Sequence, residues 1–148
     1  MISTVDDFLD PIDLEYYSNY VQSRNMTQKV LNDPETTQKF WERYGEAITQ
    51  IVPGSRICPS VTVTHTNTPI RRHTDVNHHG ERCKILIYLN NVSDGGTIFY
   101  PSGVPEIVIE NRANRLVVFD MDIAHESQNF THSNSYRQKK IAIGFRLM

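Results

Sequence analysis

His73, Thr74 and Asp75 open a strand-like run, and a lone histidine, His125, follows about fifty residues later at the end of another. Residues i and i+2 of an extended chain point to the same side, so one metal ion can reach both His73 and Asp75. A histidine brought alongside by a second strand completes a set of two imidazoles and one carboxylate. Three protein ligands on one face leave the opposite face of an octahedral ion open. That suits non-haem Fe(II) and oxygen chemistry better than a closed structural zinc site. Spacing alone keeps His78 and His79, in the loop that follows, as rival ligands, while His65 and His132 fit no such pattern.

Two helices are written ahead of these residues. Asp10-Pro11 places a capping carboxylate before a first-turn proline, and Ile12, Tyr16 and Tyr20 then recur at four-residue spacing. Asp33-Pro34 repeats the signal, with Phe40, Tyr44, Ala47, Ile48 and Ile51 forming an apolar face and Pro53-Gly54 ending it. From Ile57 onward the period changes to two. Strands are predicted at 61–64, 70–76, 83–90, 97–100, 106–109, 115–119 and 139–147, separated by Asn, Asp, Gly and Pro clusters. Helices first, then many short strands with no helix between them, argue for an antiparallel sandwich or jelly roll rather than a parallel βαβ sheet. The expected class is mainly β (α+β), one domain over 1–148, with 1–54 as helical support and 55–148 as the sheet core.

Composition narrows the functional classes. A chain of 148 residues has room for one core. A net charge of -2 gives no electrostatic case for nucleic acid or an anionic membrane. Residues 1–10 are acidic and lack the basic-then-apolar form of a signal peptide, and no apolar stretch reaches bilayer-spanning length. The expectation is a soluble, cytoplasmic protein. Cys58 and Cys83 form no Cys-x-x-Cys, so neither a disulfide scaffold nor a zinc knuckle is indicated.

The run Arg72-His-Thr-Asp-Val-Asn-His-His-Gly-Glu-Arg-Cys-Lys-Ile-Leu-Ile-Tyr-Leu-Asn90 resembles the central strands of the prolyl-4-hydroxylase-like 2-oxoglutarate and Fe(II)-dependent dioxygenases. Gly95-Gly96-Thr-Ile-Phe resembles their Gly-Gly strand start, Arg115-Leu-Val-Val-Phe119 the strand before the distal ligand, and Arg137-Gln-Lys-Lys-Ile-Ala-Ile-Gly-Phe145 their closing strand. The opening Val5-Asp-Asp-Phe-Leu-Asp-Pro11 is also similar to the start of these domains, so the likeness runs nearly the whole chain in order.

That resemblance implies a double-stranded β-helix whose larger sheet is buttressed by the two helices. It implies that His73, Asp75 and His125 bind Fe(II), that 2-oxoglutarate and O2 take the remaining positions, and that ascorbate serves as a reductant. The implied reaction hydroxylates a C–H bond, most readily in a protein or peptide, with release of succinate and CO2. The same core acting on a free amino acid, small molecule or nucleobase is the rival within enzymes, and a non-catalytic jelly-roll binding module is the rival outside them.

The far carboxylate of 2-oxoglutarate needs a buried cation, because an unpaired buried carboxylate is costly. Family members place it on the closing strand with a large aromatic six residues later. Phe145 stands six after Lys139, which favours Lys139 and puts Ile141 and Ile143 on the same inward face. Yet Lys139 is fourteen residues beyond His125 and Arg137 twelve, farther than in the family, with Thr131-His-Ser-Asn-Ser as an inserted loop; Arg137 and Lys140 therefore stay open. Tyr88, just before Leu89-Asn90, resembles a second co-substrate contact, and Leu86 and Asn90 share its face. Arg82 reads first as one half of a surface salt bridge, with Asp75 or a substrate acid as the alternative partner. Loops at 66–71, 77–81 and 126–137 are expected to recognise the substrate.

Overall fold

The computed structural model describes residues 1–75, 80–128 and 138–148. Its elements are β1 (Ile2–Val5), α1 (Pro11–Arg24), β2 (Gln28–Asn32), α2 (Pro34–Ile51), β3 (Ile57–Thr66), β4 (Cys83–Tyr88), β5 (Thr97–Tyr100), β6 (Ile107–Ile109), β7 (Leu116–Asp120), β8 (Ala124–Ser127) and β9 (Lys140–Leu147). They form a six-stranded sheet in the order β1-β7-β4-β9-β3-β2 and a three-stranded sheet in the order β6-β5-β8. Every pairing is antiparallel, as a jelly roll requires.

Strand alternation builds two apolar layers from the large sheet. Val61, Val63, Ile85, Ile87, Ile141, Ile143 and Phe145 face α1 and α2, where Phe145 stacks on Phe40 with centroids 4.1 Å apart. Tyr88, Val117 and Phe119 face the small sheet and pack with Phe99. The helices therefore cover the large sheet, as expected, and the space between the sheets is left for the site.

Several local expectations shift. Asp33 caps α2, accepting from the Thr36 N–H at 3.1 Å, but Asp10 makes no such bond and pairs with Arg43 at 2.9 Å. The buried face of α1 is Tyr17, Tyr20 and Val21, while Ile12 and Tyr16 are exposed; on α2, Ala47 is exposed. The segment at 70–75 is not a regular strand; it lies beside β8 through an isolated bridge between His73 and His125 and a bond from the Ser127 N–H to the Ile70 carbonyl at 2.9 Å. Strands β1, β2 and β8 lie outside the strand ranges predicted above, although a strand carrying His125 was expected. No helix among the described residues is long and apolar enough to cross a membrane.

Two backbone positions explain themselves. A Cβ on Gly96 would lie 2.2 Å from the Ile109 carbonyl oxygen, so the Gly-Gly start of β5 allows β6 to approach. Asn114 is in the left-handed region at φ 65° and ties down the chain before α1: its amide oxygen accepts from the Leu9 N–H and its amide nitrogen donates to the Leu9 carbonyl, both at 2.8 Å. Asn114→Ala strands both buried Leu9 groups and strains the turn, so we expect a loss of about 3 kcal/mol in chemical denaturation. A variant as stable as the wild type would show that this link carries no weight.

Candidate metal centre

The His73–His125 bridge fixes the backbones of both histidines, with N–H to carbonyl bonds of 2.9 Å in each direction. Each imidazole is then oriented by its own chain. Nδ1 of His73 donates to the Arg71 carbonyl at 2.7 Å, and Nδ1 of His125 to the Ile123 carbonyl at 3.0 Å. A carbonyl only accepts, so the proton sits on Nδ1 and the Nε2 lone pairs are free to bind metal. Asp75, two residues beyond His73, brings its carboxylate between them: His125 Nε2 is 3.5 Å from Oδ2, and His73 Nε2 is 3.9 Å from Oδ1. The donor atoms of His73, Asp75 and His125 all lie within 4.8 Å of one another. The sequence-predicted triad is therefore assembled from two segments held side by side by the 73–125 bridge.

The protonation states suit ligation. Burial pushes the Asp75 carboxyl up, but Lys84 and His125 together outweigh it and hold it below its ordinary value. Burial pushes His125 down, keeping the imidazole neutral. Asp75 Oδ1 accepts from Lys84 Nζ at 3.1 Å, while Oδ2 is buried with no hydrogen-bond partner among the described residues. A buried carboxylate oxygen left open between two lone pairs fits a divalent cation, the one species able to satisfy all three donors.

A cavity opens beside the triad, lined by Thr64, Ile70, Leu86, Phe119, Lys140 and Ala142 among others. Lys140 is 3 % exposed, its ammonium lies 5.2 Å from the centre of the Tyr88 ring, and it has no carboxylate partner among the described residues. Burial pushes its pKa down to about 8. Tyr88 is fully buried on the same side of the sheet, and its hydroxyl is bonded to Thr97 Oγ1 at 2.6 Å. At the rim, Arg72 stacks over Tyr100 at 3.5 Å and pairs with Glu126 at 3.6 Å, which also bonds the Tyr100 hydroxyl. This clamp pins the residue before His73 onto β8.

The closing strand corrects the expected register by one residue. Lys140, Ala142 and Gly144 face the small sheet, whereas Ile141, Ile143 and Phe145 face the helices. Lys139 precedes the strand with its side chain exposed, and its carbonyl accepts from Asn90 Nδ2 at 2.7 Å. Arg137, His78, His79 and His132 lie outside the described residues. Arg82 is exposed and donates to the Pro53 carbonyl at 3.3 Å, so the partner of Asp75 is Lys84 and not Arg82. Lys84 was not singled out in the sequence, although its spacing from Tyr88 carries the signal: residues four apart on a strand share a face.

A family model described as the 2OG-Fe(II) oxygenase superfamily matches residues 59–145. A search of curated protein sequences returned no match. Among solved structures, the chain is similar to a Pseudomonas putida prolyl-4-hydroxylase (TM-score 0.69, 16 % identity, covering 99 % of this chain and 91 % of that one). It is also similar to a Trichoplax adhaerens prolyl hydroxylase in complex with a hypoxia inducible factor peptide fragment (0.70, 18 %, 99 % and 83 %). A third is HygX from Streptomyces hygroscopicus with nickel and 2-oxoglutarate bound (0.69, 10 %, 99 % and 81 %). At these identities the structures establish the shared fold, while the family model covers more than half of the sequence. The chain thus belongs to the 2OG-Fe(II) oxygenase superfamily and is an oxidoreductase working with Fe(II), 2-oxoglutarate and O2.

Proposed function

We propose that this oxygenase is a prolyl 4-hydroxylase-like enzyme that hydroxylates a C–H bond of a protein or peptide and releases succinate and CO2. The observation that carries the reading is a buried cation, Lys140, facing the same cavity as the triad and lacking a carboxylate partner among the described residues. His73 and His125 would hold Fe(II) through Nε2 and Asp75 through Oδ2. Bound Fe(II) supplies the activation of O2 that oxidative decarboxylation and C–H hydroxylation require. The chain does the rest. Lys140, in place of Lys139, would receive the far carboxylate of 2-oxoglutarate, turning a costly lone charge into a buried pair. Tyr88 supports that ammonium with its ring face. Ile70, Leu86 and Phe119 exclude water from the reacting end. A peptide substrate is supported by the similar fold of the Trichoplax enzyme, which was solved with a peptide fragment.

The test is succinate formation by the purified protein under air with Fe(II) and ascorbate, with and without proline-containing peptides. Mass spectrometry of the peptide should show the gain of one oxygen atom. We expect peptide-stimulated turnover that vanishes in His125→Ala. Stimulation by a free amino acid instead of any peptide would overturn the substrate class. A protein binding neither Fe(II) nor 2-oxoglutarate would return the domain to a binding role.

A further inference from the structure

Lysine is seldom fully buried unless it is paired, and the inter-sheet side of this protein buries two. Lys140 matches the co-substrate. Lys84 does not: it is 5 % exposed, it stands on β4 at the other end of the cavity lining, and its ammonium contacts Asp75 itself at 3.1 Å. The fold makes room for it. A Cβ on Gly144 of β9 would lie 3.3 Å from Lys84 Cε and 3.3 Å from Thr62 Cβ, so this glycine leaves the space along which the lysine stem runs. A long cation threaded past a glycine to one carboxylate oxygen is a built contact, unlike a solvated strand charge.

We propose that Lys84 is the resident counter-ion of the metal centre, a positioning residue that holds Oδ1 of Asp75 and leaves Oδ2 as its one metal-binding oxygen. The inference rests on the metal-centre reading of the triad. Two consequences follow from the charges. Without metal, Lys84 neutralises the buried carboxylate and keeps the site assembled. With a divalent cation, the same ammonium is a like charge on the far oxygen of the carboxylate that binds it, so it weakens metal binding. The total charge decides who benefits. Fe(II) with Asp75 carries +1 and Lys140 adds another, which already balances a dianionic co-substrate; Lys84 adds a further positive charge. The centre is thereby biased away from holding metal tightly and toward holding anions.

This bias has a sign opposite to that of simple orientation. If Lys84 only aimed Asp75, removing it would loosen the metal. If it is a counter-ion, removing its charge tightens the metal and loosens the anion. Co(II), whose visible absorption reports binding, serves as the probe in titrations of the metal-free protein, and 2-oxoglutarate is then titrated onto the Co(II)-loaded protein without O2. For Lys84→Met we expect Co(II) to bind about tenfold tighter and 2-oxoglutarate about tenfold weaker than in the wild type. The Co(II)-induced rise in melting temperature should also be larger, because the metal-free variant carries an unmatched buried carboxylate. Lys84→Gln keeps a donor for Oδ1 without the charge, so it should show the same shifts with a smaller loss of metal-free stability, and it substitutes if the methionine variant does not fold. Unchanged or weaker Co(II) binding in a folded variant overturns the proposal. A wild-type protein that binds no Co(II) would instead overturn the metal centre on which the proposal rests.

Discussion

Asp75→Ala should cost the protein its iron-dependent turnover and several kcal/mol of stability at once, whereas His73→Ala should cost turnover alone. The two ligands differ in what else depends on them. The Asp75 side chain is 7 % exposed and paired with Lys84, whose side chain is 6 % exposed. Deleting the carboxylate leaves a buried ammonium with no counter-charge, a change that typically costs about 3–5 kcal/mol. The His73 side chain is one-third exposed and makes one hydrogen bond among the described residues, to the Arg71 carbonyl, so its loss is absorbed by water. Chemical denaturation of the metal-free proteins checks the stability half, and metal content with succinate formation checks the other. The difference between wild type and Asp75→Ala should depend on pH with a defined sign. The folded carboxyl lies below its ordinary value, so its contribution is present above the unfolded value and is lost as pH falls through the folded one. An Asp75→Ala protein with full turnover would remove the triad assignment altogether.

The parts of this molecule that could be read from its sequence are those where one side chain has one physical reason to be where it is. His73 and Asp75 share a side of an extended segment, and His125 had to come from a neighbouring strand; the bridge between residues 73 and 125 is that neighbour relation. The Asp-Pro starts of both helices were legible because proline at the first turn has few other uses. The faces of the large sheet were not. Strand β9 is buried on both sides, toward the helices and toward the small sheet, so its hydrophobic pattern carries no alternation to mark which parity looks into the cavity. Taking Phe145 as an inward residue assigned Lys139 to the site. Phe145 in fact lies under Phe40 and Tyr17, and the parity falls on Lys140. Strand β2, Gln28–Asn32, is almost wholly exposed at the sheet edge and offers no buried face for a pattern to reveal. In α1, Tyr16, Tyr17 and Tyr20 are alike in chemistry, and only packing against the sheet selects Tyr17 and Tyr20.

Lys140→Met should make the ligand-free protein more stable while raising its 2-oxoglutarate requirement on the order of a hundredfold or more. The stability half follows from burial. A lysine whose pKa falls from 10.5 to about 8 in the fold disfavours folding by about 3 kcal/mol at neutral pH, and methionine fills the same space without a charge. Above 10.5 neither folded nor unfolded lysine is protonated and the penalty is absent. As pH falls from 10.5 to 8 the unfolded chain takes up a proton that the folded chain does not, and the penalty grows to its full size. The variant's advantage over wild type should therefore be constant below pH 8 and shrink as pH rises toward 10.5. The binding half has the matching sign. Only the protonated amine pairs with the far carboxylate, so the 2-oxoglutarate KM of the wild type should climb above pH 8, and the methionine variant should lack that rise. Denaturation across pH, with succinate kinetics on both proteins, measures the two halves separately. If Lys140→Met is more stable yet keeps its 2-oxoglutarate KM while Lys139→Ala or Arg137→Ala loses it, the buried lysine is a burden on the fold with no part in the co-substrate site.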